Sequence, residues 1–164
     1  MSNIKEFYIK KSNNVNLIDI EPLINENVTI ITLESCKIRN IPENFFIKFK
    51  KLESLVLKDN YLEEIDFYLP ENLTYLDISF NKINGLKEKY INNKLEYLDI
   101  SYNFLKFVPK FIDDLEIVIY TKENNFDTKK FLIIESNKQR KIEIDINDEK
   151  INNGRPVNNI IRNK

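Results

Sequence analysis

Asp77 and Asp99 are the residues of this chain whose type and spacing come nearest to chemistry. Each stands in a Leu-Asp-Ile-Ser run, with Tyr75 or Tyr97 two positions earlier. A pair of carboxylates can do general acid and base work, and retaining glycosidases hold theirs about 5–5.5 Å apart. Adjacent strands, about 4.8 Å apart, place two residues near that separation. What the pair lacks is a reason for one carboxyl to stay protonated, because a flat, open sheet neither desolvates it nor raises its pKa. The rest of the chain supplies no helper. There is no histidine, the commonest general base and metal ligand. The single cysteine, Cys36, can form neither an intrachain disulfide nor a cysteine-based zinc site. Two carboxylates are too few ligands for a metal. Gly85 and Gly154 are too few glycines for a phosphate-cradling loop. The expectation is no catalytic residues, no metal, no cofactor and no enzyme.

What must position the two aspartates is a repeat. Leu73, Leu76, Ile78, Asn81 and Ile83 fall into the spacing LxxLxLxxNxL, and Leu95, Leu98, Ile100, Asn103 and Leu105 fall into it again about 22 residues later. Alternate side chains of a strand face opposite ways. Leu76, Ile78, Leu98 and Ile100 therefore point inward, and Tyr75, Asp77, Tyr97 and Asp99 point out. One such coil cannot bury its apolar face alone and needs neighbours above and below. Asn81 and Asn103 stand where the chain leaves the strand, and a buried amide there can donate to and accept from backbone groups that have lost their strand partners.

Five slots filled twice make the chain similar to the leucine-rich repeat family. The resemblance implies an α/β solenoid: a parallel concave β-sheet of about six strands, with an irregular or short-helical convex side. It also implies that Cys36 substitutes for asparagine, so that Cys36, Asn60, Asn81 and Asn103 form one internal ladder. It implies a protein-interaction module whose partner binds the concave face.

Taken in order, residues 1–27 form an N-terminal capping coil, with Ile4, Phe7 and Ile9 in the leading slots and a small edge element over Val15, Leu17, Ile18 and Ile20. Residues 28–126 hold the repeats. In the first return segment Phe45, Phe46 and Phe49 are spaced for a short helix. The next return contains Pro70 and reads as extended. Leu115, Val118 and Tyr120 begin a degenerate coil in which Glu123 or Asn124 stands in the asparagine slot. Residues 131–135 and 141–146 read as strands, and Ile142, Ile144 and Ile146 alternate with Glu143 and Asp145. Together 127–147 read as a C-terminal hairpin cap that covers the last strand edge. Residues 148–164 are a polar tail.

Aligning the repeats places Tyr75 beside Tyr97 and Asp77 beside Asp99 on the concave face, with Ile117 and Ile119 flanking and Phe80 and Tyr102 near the strand ends. Exposed aromatics on a rigid sheet are typical anchors of interfaces, and a lysine or arginine of a protein partner fits between the two carboxylates. The plain alternative is ordinary strand surface, since the run around these residues is common in the family whatever the partner. A second functional reading is an assembly component of a large complex, such as a viral particle, using the convex side, the cap and the tail. The abundance of Asn, Ile and Lys is a coding bias of AT-rich genomes. With 25 Lys and Arg against 26 Asp and Glu, the net charge of -1 gives no bulk attraction to nucleic acid or an anionic membrane. The N-terminus has no apolar signal region and no apolar run approaches the roughly 20 residues of a membrane span. The expected location is therefore cytoplasmic or otherwise intracellular, as a monomer or a subunit of a larger assembly.

Overall fold

Apolar residues at the repeated inward slots draw the chain into a stack of coils, each contributing one short strand to a shared sheet. The computed structural model describes residues 5–13, 15–115, 117–125 and 142–143, with 113–114 and the last pair by backbone alone. The strands are β1 Glu6–Lys10, β2 Ile30–Glu34, β3 Ser54–Val56, β4 Tyr75–Asp77, β5 Tyr97–Asp99, β6 Val118–Tyr120 and β7 Ile142–Glu143. They pair in chain order and every pairing is parallel. The expected sheet of about six strands is therefore present, with β7 added at its C-terminal edge. β7 lies inside the segment read as the second arm of the hairpin, and it pairs parallel with β6, Ile119 opposite Ile142. The other arm, the rest of 127–147 and the 148–164 tail lie outside the described residues.

The register is strict. Ile31, Leu55, Leu76 and Leu98 oppose one another in line, and all four are fully buried. Parallel strands need a crossover, and here each crossover is short and irregular. The first contains a single helical turn, α1 Leu17–Ile20, capped by the Asn16 side chain, which accepts from the Ile18 N–H at 3.1 Å. It buries Leu17 and Ile20 and leaves Ile18 exposed. Short 3-10 turns cover Glu21–Leu23, Glu88–Tyr90 and Lys110–Asp114.

The helix expected around Phe45, Phe46 and Phe49 does not form. Residues 43–48 run as successive turns, with Phe45 N–H donating to the Pro42 carbonyl and Phe49 N–H to that of Phe46. All three rings are buried. Phe45 packs edge-on against Phe46, and Phe46 reaches Phe67 of the next coil at 5.5 Å. The chain of turns buries the same three rings that one face of a helix would bury.

Candidate protein-binding face

An internal row of amides fixes where the outer face lies. Asn81 donates to the carbonyls of Leu57, Ile78 and Ser79 and accepts from the Leu62 N–H. Asn103 does the same one coil later, bonding Ile78, Ile100 and Ser101 and accepting from Ile83. Asn60 begins the row and accepts from both Cys36 and Ile38. Asn124 ends it, accepting from Leu105 and donating to Ile100, Thr121 and Lys122. Each amide ties its own turn to the preceding coil. Cys36 occupies the same slot with a weaker group: its thiol lies 3.4 Å from the Ile9 carbonyl and 3.3 Å from that of Glu34. Burial pushes this thiol above its ordinary pKa, against an opposing bond from the Ser12 backbone. A buried, protonated thiol is not a nucleophile.

The residue just before the amide slot takes positive φ in coil after coil: Lys11, Ser35, Asp59, Phe80, Tyr102 and Glu123. The left-handed bend turns the backbone N–H toward the next coil. Asp59 N–H reaches the Ser79 carbonyl, Phe80 N–H that of Ser101, and Tyr102 N–H that of Lys122. Bulky residues rarely adopt this conformation. Phe80 and Tyr102 do, and their rings stack with centroids 4.1 Å apart. Both are exposed, and the Lys58 ammonium stands 5.2 Å over Phe80.

On the strands themselves, Tyr75 opposes Tyr97 and Asp77 opposes Asp99. The tyrosine rings stack at 4.3 Å with only 6° between their planes. That centroid distance is close to the strand spacing, so the ring faces look along the solenoid axis. Tyr97 also meets Tyr120 at 5.1 Å. Burial pushes both the Tyr75 and Tyr97 phenols above the ordinary tyrosine range, with Asp99 adding to the effect at each. Both hydroxyls therefore stay protonated at neutral pH and can donate.

Asp77 is buried, 8% exposed. Its Oδ1 accepts from the Ser79 N–H at 2.9 Å and the Ser79 hydroxyl at 2.6 Å. Desolvation raises its pKa most, and Asp99 raises it further; the Ser79 bonds and Lys58 lower it. Asp99 is half-buried, and its Oδ1 accepts from the Ser101 N–H. Two carboxylates held this way by hydroxyl and amide donors make an acidic ladder beside an aromatic one. No group of three or more metal-ligating side chains exists among the described residues.

Ile117 and Ile119 are not on this face. Ile119 opposes Leu98 in register and is fully buried, and Ile117 is buried too. The outward residues of β6 are Val118 and Tyr120. Counting forward from Leu115 gives the wrong face, because the chain holds one extra residue before β6. Counting back five from Asn124 gives the right one, as five back from Asn103 gives Leu98 and five back from Asn81 gives Leu76. A one-residue slip exchanges the two faces of a strand. Tyr120 is thus an addition to the face.

Among the described residues no helix is long and apolar enough to cross a membrane. Residues 26–83 match the family described as leucine rich repeat, and residues 94–115 match a second model of the same repeat. Over 58 residues the chain is 41% identical to a leucine-rich repeat-containing protein of Schizosaccharomyces pombe. That stretch is 34% of this chain and 9% of the yeast protein, so the chain spans only a small part of that relative's length. Repeats of this kind are generally non-enzymatic protein-interaction modules. The parallel sheet, the internal amide row and the matched repeats agree: the chain is a leucine-rich repeat protein.

Proposed function

We propose that the concave face binds a protein partner, centred on Tyr75, Asp77, Tyr97 and Asp99, with Phe80, Tyr102 and Tyr120 around them. The observation that carries this reading is the run of three half-buried tyrosines on β4 to β6, the first two stacked at 4.3 Å. Rings fixed against one another lose little freedom when a partner covers them, which is the property of interface anchors. Their backing is rigid, because each strand is locked from behind by the amide row. The carboxylates beside them supply orientation. A protein ligand brings both the apolar area and the cations that such a surface takes.

The test is the double variant Tyr75→Ala with Tyr97→Ala. The two rings stand on the outer side of the sheet, so the melting curve should stay close to that of the parent. Capture of the partner from the native source should fall by at least about a hundredfold, as two anchors of ~1.5–2 kcal/mol each imply. Undiminished capture by a folded double variant would place the binding surface elsewhere.

A further inference from the structure

The aromatic column on the concave face is incomplete on one side. Reading across β2 to β5, its members are Ile30, Ser54, Tyr75 and Tyr97. One face of Tyr75 is covered by Tyr97. The other looks along the solenoid axis over Ser54, and among the described residues no ring or cation covers it. The neighbouring column repeats the step: Thr32 and Val56 are followed by Asp77. The result is a slot one strand wide. Its floor is Ser54 and Val56, one wall is Tyr75 with Asp77, and the other is Ile30 with Thr32. All of these except Asp77 are half-buried, so the slot is open to solvent. Its width is set by the same spacing, about 4.8 Å per strand, that lets Tyr75 and Tyr97 stack. A planar group placed over Ser54 would extend the stack by one member.

The charge of that group is set by Asp77. Both bonds from Ser79 end on Oδ1, and no donor among the described residues reaches Oδ2. Ser54 and Asp77 are one strand and two residues apart, a diagonal of about 8 Å. A side chain standing over Ser54 spans it. The occupant must then be planar, cationic and rich in N–H donors, carried on an aliphatic stem that suits Ile30 and Val56. We infer that the slot over Ser54 captures one arginine side chain of the protein partner, its guanidinium stacked on Tyr75 and donating to Asp77. Lysine satisfies the charge but not the stack, since its ammonium is compact and strongly hydrated. Lys58 is the opposing charge nearby, and its ammonium is drawn aside over Phe80 at 5.2 Å.

This inference rests on the concave-face reading but fails separately from it. The experiment is an NMR titration of the full chain with three short capped peptides, identical except for a central arginine, lysine or citrulline. The arginine peptide should move the Ser54, Val56 and Tyr75 resonances and bind about tenfold tighter than the other two, the gain of one charge-assisted bond with stacking. Ser54→Tyr fills the slot with a ring of the protein's own and should abolish those shifts. Asp77→Asn, which keeps both bonds from Ser79, should weaken arginine about tenfold and leave citrulline unchanged. Equal binding of arginine and lysine overturns the inference, as does an arginine peptide that leaves Ser54 and Tyr75 unmoved. If the slot stays silent while Tyr75→Ala with Tyr97→Ala still loses the partner, the arginine slot is wrong and the concave face stands.

Discussion

The two sides of the same strands obey different rules. Inward, Ile31, Leu55, Leu76, Leu98 and Ile119 are aliphatic and fully buried at every step. Outward, the matching column runs Thr32, Val56, Asp77, Asp99 and Tyr120, with no type kept beyond a pair. Packing constrains the first set, because each residue must fill a layer shared with the coils on both sides. Nothing inside the molecule constrains the second set so tightly. Residue type is therefore dictated by packing on the inner side and in the amide row, and is left free by the fold on the outer side, where the proposed binding face lies.

The largest expected effect breaks that contrast most directly. Asn81→Ala leaves the carbonyls of Leu57 and Ile78 with bonds from Asn60 and Asn103. The Leu62 N–H, whose acceptor is Asn81, is orphaned in a buried turn. That alone costs about 1–3 kcal/mol. On the outer side, Asp99→Asn, whose amide oxygen still accepts from the Ser101 N–H, should change stability by no more than about 0.5 kcal/mol. Urea unfolding of the two variants beside the parent measures both. Equal losses would show that the outer carboxylates hold the coils together as much as the buried amides do.

How far the sequence could be read follows the same line. Inner slots were legible because Leu, Ile and Asn recur at fixed spacing, and their register predicted that Tyr75 lies beside Tyr97 and Asp77 beside Asp99. The slip at β6 came where that signal thins, with one extra residue ahead of the strand and a polar residue, Thr121, in the slot of Leu57, Ile78 and Ile100. The turns at 43–48 were hidden because three phenylalanines suit a helix and a chain of turns alike. The row of positive-φ residues left no trace in composition. Glycine and asparagine mark such positions in general, whereas Phe80 and Tyr102 hold theirs with ring stacking and a bond to the next coil. Hydrogen bonds between coils impose that bend, and they are a property of the stack, not of the local sequence.

Thr121 is also where the inner rule is weakest, and it gives the next effect in size. Its side chain is 1% exposed, and its Oγ1 has no partner among the described residues. A buried, unbonded hydroxyl is destabilising, and valine has the same shape without it. Thr121→Val should raise stability by about 1 kcal/mol. The carbonyl that Asn124 holds is untouched. A raised urea midpoint with an unchanged slope is the expected reading. A loss of stability would mean that the hydroxyl is bonded in solution and that the sixth coil is specified by polar contacts, unlike the others.

The smallest effect is a slope with pH, and it tests whether the outer carboxylates are tolerated strain. Burial raises the Asp77 pKa above the ordinary 3.8, with Asp99 adding to it and Ser79 and Lys58 opposing. The folded state therefore holds this proton more tightly than the unfolded chain. Its contribution to stability is complete below about the unfolded value of 3.8 and is lost as pH rises through the raised folded value. Asp77→Asn removes that dependence while its amide oxygen still accepts from Ser79. The variant should be at least as stable as the parent at neutral pH, and the parent should gain on it as the solution is acidified into the carboxylate range. Thermal melts of both proteins across that range give the difference. A parent that loses ground to the variant on acidification would mean that the ionised Asp77 is held by the fold, with no free oxygen for an incoming cation. An Asp77 that the fold disfavours as an anion is one that a partner's arginine would relieve.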